Sequence, residues 1–80
     1  MKVEPILVSN LLKLAHAYAN YHECTLANVG RRIHNDNAVF ARLEAGTGSI
    51  TLRKYDEVIE RFRDKWPRGL RWPRLREPFA

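Results

Sequence analysis

The chain has 80 residues, 14 of them Lys or Arg and 9 Asp or Glu, for a formal net charge of +5. That length holds one small core and excludes a core plus a roomy catalytic cleft. A hydrophobic share of 45% with 29% charged residues excludes a disordered composition, and no apolar run approaches the ~20 residues that span a bilayer.

The start, Met1-Lys2-Val3-Glu4-Pro5, mixes polar with apolar residues and lacks the pattern of a signal peptide. Cys24 is the single cysteine, so neither an intrachain disulfide nor a paired-cysteine zinc site can form, and the reducing cytoplasm is the expected compartment. Charge is unevenly placed. Residues 1–60 net to zero, and the whole surplus of +5 sits in residues 61–80. A polyanion is the default partner for such a tail; a merely solvated tail is the other reading.

In chain order, Ser9 or Asn10 is expected to cap a helix running to about His22. Its inner face is Leu7, Leu11, Leu14, Tyr18 and Tyr21, spaced by fours and threes. Pro5 is read as lying before it. Thr25 caps a second helix to about Ile33, with Leu26, Val29, Gly30 and Ile33 inward. Gly30 costs about 0.5–1 kcal/mol relative to Ala inside a helix, so a close helix–helix approach is expected there. His34-Asn35-Asp36-Asn37 predicts a tight turn at His34-Asn35 and a cap at Asp36 or Asn35. A third helix follows from Asn37 to about Ala45, with Phe40 and Leu43 inward, and Gly46 ends it. After a loop over residues 46–50, Thr51 caps a helix to about Lys65 whose inner face is Leu52, Tyr55, Val58, Ile59, Phe62 and Trp66. Pro67 stops it. Residues 67–80, with Pro67, Pro73, Pro78 and Gly69, favour turns or extended chain, and Trp72, Leu75 and Phe79 are candidate anchors onto the helical body. The fold class is therefore all-α: a four- to five-helix bundle over residues 1–66 with a basic Pro/Trp/Arg-rich tail, 67–80.

Two short helices joined by a tight polar turn, about residues 25–45, have the shape of a helix-turn-helix. Residues 25–62 resemble the helix-turn-helix domains of the Cro/C1-type (lambda-repressor-like, Xre) family. Val29-Gly30 stands at the family's Leu-Ala pair, and Ile33 at the apolar end of that helix. Phe40-Ala41-Arg42-Leu43-Glu44-Ala45-Gly46 matches its Ile-Ser-Arg-Ile-Glu-Asn-Gly run, and Thr51-Leu52, Tyr55, Val58-Ile59 and Phe62 match its following helix. The stretch from Val29-Gly30-Arg31-Arg32 to Trp66-Pro67 is more narrowly similar to small bacterial or prophage members. Leu26, His34 and Ala45 depart from the family's Gln, turn Gly and Asn.

The resemblance implies that the helix over about 36–45 enters the major groove of duplex DNA. Asn37 and Ala38 then lie nearest the bases, with Ala41 and Arg42 one turn on. Asn37 suits adenine and Arg42 guanine, while the two alanines suit a thymine methyl or close approach. Thr25, Asn28, Arg31, Arg32, Thr47, Ser49 and Arg53 become phosphate candidates. Each has a plainer account: Asn37 as a turn residue, Arg42 paired with an acid, Arg31 and Arg32 as a solvated face. Glu44 is read as structural, bonding a helix end or an arginine. In the tail, Arg68, Arg71, Arg74 and Arg76 either track phosphates or dock a protein such as a second subunit or RNA polymerase, while the aromatics pack inward.

His16, His22, Cys24 and His34 have no ligand spacing, so no metal or cofactor is expected, and Cys24 is read as a packing residue. No nucleophile–base signature or phosphate-cradling glycine loop points to an enzyme. The expected function is a transcription regulator in the bacterial cytoplasm, associated with the nucleoid and not with a membrane. Its expected partner is double-stranded DNA, bound as a homodimer on a two-fold site. The other reading keeps the fold but makes it a protein-interaction module.

Overall fold

The computed structural model describes residues 4–76. The chain is all-α: α1 (Glu4–His22), α2 (Leu26–His34), α3 (Val39–Ala45) and α4 (Leu52–Lys65), followed by irregular chain to Arg76. Among the described residues there is no strand, and no helix is long and apolar enough to cross a membrane.

The apolar spacing of α1 places Leu7, Leu11, Leu14, Ala15 and Tyr18 in the core, where Val29 and Ile33 of α2, Phe40 and Leu43 of α3, and Val58 and Phe62 of α4 meet them. Full burial of a side chain such as Leu11 or Phe62 contributes about 1.5–3 kcal/mol. Asn10 of α1 reaches Tyr55 of α4, and Tyr18 packs edge-on against Phe62, so α1 and α4 run parallel. Tyr21, expected in the inner stripe, is exposed, and so is Leu52 at the start of α4.

Three helix starts and stops differ from the sequence expectation. First, α1 begins at Glu4, with Pro5 inside its first turn. The missing proline N–H does no harm there, because first-turn amides have no intrahelical acceptor. Asn10 is consequently not a cap; it is fully buried. Second, α2 keeps His34, and the left-handed residue that closes it is Asn35 (φ 53°), whose N–H bonds the Arg31 and Gly30 carbonyls. Third, α3 begins at Val39 rather than Asn37, because Asn37 and Ala38 form a turn closed by Val39 N–H on the Asp36 carbonyl (3.4 Å). Thr25 and Thr51 cap α2 and α4 as expected, accepting from the Asn28 and Lys54 amides at 3.2 Å.

The last described residues dock on the bundle. Trp66, Trp72 and Leu75 pack against the core, and Trp66 Nε1 donates to the Leu70 carbonyl at 2.8 Å across a turn. Asn10 then holds the backbone of Arg76 from both sides: Nδ2 donates to its carbonyl (2.8 Å) and Oδ1 accepts from its amide (2.9 Å). Tyr21 abuts Gly69. Between Gly69 and Arg76 the tail therefore runs back along α1 from Tyr21 to Asn10, about 16 Å of helix at 1.5 Å per residue. Phe79 lies outside the described residues.

Candidate nucleic-acid interface

The elbow between α2 and α3 is built backbone against backbone. A Cβ placed on Gly30 would lie 2.3 Å from the Asp36 carbonyl oxygen, and Asp36 N–H donates to the Gly30 carbonyl at 3.2 Å. The close approach expected at Gly30 is thus to the turn rather than to another helix. Asn35 supplies the left-handed step, which Asn tolerates better than most residues.

Asp36 organises the turn. Its Oδ1 accepts from the Ala38 amide (2.9 Å) and its Oδ2 from Arg42 Nη2 (2.7 Å). Those two bonds, the backbone one foremost, hold its carboxyl below the usual aspartate range. The expected helix cap at Asp36 or Asn35 is thus displaced: the N-cap position of α3 is Ala38, which makes no side-chain cap bond, and Asp36 instead closes the turn ahead of the helix and is the acid that pairs with Arg42. On the other side of the turn, Arg61 Nη1 donates to the Ile33 carbonyl and to His34 Nδ1 (2.9 Å), so Nδ1 is the unprotonated nitrogen. Partial burial, then the nearby charges of Lys54 and Arg61, push the His34 pKa down from 6.5.

At the far end of α3, Gly46 adopts the left-handed conformation (φ 78°). Besides the Gly46 N–H, the Arg42 carbonyl accepts from the Thr47 and Gly48 amides at 3.1 Å and from the Thr47 hydroxyl at 3.3 Å. Glu44 bonds His16 Nε2 at 2.5 Å, tying α3 to α1; its partner is a histidine, neither the helix end nor the arginine expected.

Of the base-contact candidates, Asn37, Ala41 and Arg42 are exposed and Ala38 is half-buried. Ala41 and Arg42 lie on the outer face of α3, opposite the buried Phe40 and Leu43, while Asn37 and Ala38 stand in the turn that leads into it. The phosphate candidates Thr25, Asn28, Arg31, Arg32, Thr47, Ser49 and Arg53 are all exposed, although the Thr25 and Thr47 hydroxyls already serve backbone bonds. Arg68, Arg71, Arg74 and Arg76 of the tail are exposed too, around the inward-packed Trp72 and Leu75.

Sequence reasoning missed two residues. Asn10 interrupts an otherwise apolar stripe between Leu7 and Leu14, and that misplaced amide was the available signal. Arg63 of α4, with its Cζ 5.7 Å from the Trp72 ring centroid, had none. Among the described residues no three His, Cys, Asp or Glu side chains converge as a metal site, and Cys24 packs half-buried against the core. No protein-family model, no curated protein and no solved structure matches the chain.

Proposed function

We propose that the chain is a lambda-repressor-like helix-turn-helix protein that binds duplex DNA by sequence and regulates transcription. The observation that carries this reading is the outward face of α3: Ala41 and Arg42, with Asn37 and Ala38 ahead of them, project from a short helix held at a fixed angle by the Gly30–Asp36 seat. A helix presented in this way suits the major groove, where its N-terminal residues meet base edges. The small Ala38 and Ala41 permit close approach, Asn37 suits adenine, and Arg42 suits guanine. Arg31 and Arg32, on the exposed side of α2, supply phosphate contacts that fix register without reading sequence. One such helix reads only a few base pairs, which calls for a dimer on a two-fold site.

One observation favours a second reading, a protein-interaction module of the same fold: the Arg42 guanidinium is already engaged by Asp36. Selection of bound sites from a pool of random duplexes separates the two. The first reading requires an enriched consensus with inverted half-sites; recovery of the starting pool leaves the second.

A further inference from the structure

The tail and the α2–α3 unit sit on opposite flanks of the bundle. On α1, Val8, Leu12 and His16 flank α3, where Leu43 and Glu44 face them. Asn10 and Tyr21 instead hold the tail. At 3.6 residues per turn, Asn10 is rotated about 160° from both Val8 and Leu12. The same division recurs on α4. Arg61 and Lys65 donate to α2 carbonyls, at Ile33 and Arg32. Arg63, two residues from each, is again about 160° away and lies over Trp72 of the tail. A row of aromatic rings, Phe40, Phe62, Trp66 and Trp72, with centroid separations of 5.7, 6.0 and 4.9 Å, leads from α3 through α4 to the tail.

On that far flank is a cleft of about 730 Å³ lined by Arg63, Arg71, Arg74, Trp72, Pro73 and Leu75. Its three guanidinium groups come from two separate elements, and none of them is in a salt bridge among the described residues. No acidic residue falls within 67–76, and every cation there is arginine. Guanidinium forks engage phosphate oxygens in pairs, and a run of arginines without a carboxylate is matched by an uninterrupted line of negative charge. The tail is also pre-ordered by Asn10 and Trp66, so little chain freedom is lost on binding.

We propose that this cleft binds the phosphate backbone of a second duplex segment, so that one chain holds two segments at once, one at α3 and one at the tail. The proposal rests on the duplex reading of α3 only for its first segment; the cleft is independent of it.

The test uses the full chain, a bead-tethered duplex bearing the selected site and a free labelled duplex of unrelated sequence. Complex masses give duplexes per chain. Wild type should capture the free duplex, each two-fold site holding two chains and each chain adding one free duplex, three duplexes per pair of chains. Arg63→Gln/Arg71→Gln/Arg74→Gln should keep the tethered site and lose the free duplex; the salt slope for the latter should become shallower by about 2.7, or 0.9 for each of three phosphates. Arg71→Glu/Arg74→Glu, which leaves Arg63 on Trp72, should do the same with unchanged helical content. Ala41→Glu should lose the selected site but keep the unrelated duplex. Unchanged capture by both cleft variants overturns the proposal. So does a complex that holds the selected duplex alone, or loss of polyglutamate binding but not of duplex binding in the cleft variants, which would make the partner an acidic protein. Indifference of both duplexes to Ala41→Glu overturns the α3 reading alone.

Discussion

Asn10 and Arg76, 66 positions apart, are joined through two hydrogen bonds that use the side chain of the first and only the backbone of the second. The asparagine also donates to the Tyr55 hydroxyl at 3.1 Å, so one buried amide joins α1, α4 and the tail. Asn10→Ala breaks all three bonds and strands a buried hydroxyl, at a cost of about 2–3 kcal/mol. For a domain of this size each kcal/mol lowers Tm by about 4–8 °C. Calorimetry should show that loss, with tryptophan emission shifted to the red as Trp72 lifts away. Arg76→Ala should stay within about 0.5 kcal/mol of wild type, whereas Arg76→Pro, which lacks the amide, should resemble Asn10→Ala.

Gly30→Ala has two opposed terms. Helix propensity alone predicts a gain of about 0.5–1 kcal/mol. The new methyl, however, would meet the Asp36 carbonyl oxygen at 2.3 Å, and backbone cannot swing aside as a side chain can. Overpacking of this kind costs about 1–3 kcal/mol, so chemical denaturation should show net destabilisation. A stabilised variant would contradict the rigid seat.

On the selected duplex, Asn37→Ala or Arg42→Ala should each lose about 1–3 kcal/mol and relax preference at one base position. Arg31→Ala should weaken all sequences alike and make the slope of log affinity against log salt shallower by about 0.9. Titrations at several salt concentrations distinguish the two patterns. Equal losses on every sequence for Arg42→Ala would demote that residue to a phosphate contact.

His34 predicts a pH dependence. Its folded pKa lies below 6.5 because burial and the Lys54 and Arg61 charges disfavour its cation. The unfolded chain therefore takes up the proton more readily, so the His34 contribution is complete above about pH 6.5 and declines as pH falls toward the folded value. Urea midpoints measured downward from neutrality should fall, and His34→Gln should flatten that part of the profile. Asp36, also held low, loses its contribution only at more acidic pH, as its carboxyl protonates in the fold.

Much of the architecture was legible because it is written in local spacing. The stripe Tyr55, Val58, Phe62 and the threonines at 25 and 51 mark α4 and the starts of α2 and α4 through side chains within a few positions of one another. What escaped depends on partners far along the chain or at irregular spacing. Asn10 has the composition of a helix cap, and only Arg76 and Tyr55 show why it is buried in α1. An acid beside Arg42 was expected, but not which one, because Asp36 lies six positions away across a turn, outside the three- and four-residue spacings that helical pairing rules recognise. For the interface, the exposure of Asn37, Ala41 and Arg42 followed from the pattern of Phe40 and Leu43. The sidedness of the tail did not, because neither Arg63 nor Trp72 carries any mark of the other.

The contact of Gly30 with Asp36 has an evolutionary corollary. Since main chain rests on main chain, the elbow angle does not depend on the outward side chains at 37, 38 and 41, whereas Arg42 also braces the turn through Asp36. Exchanges at 37, 38 and 41 can therefore change what this surface presents while the hinge that aims it stays as it is, provided position 30 never acquires a side chain.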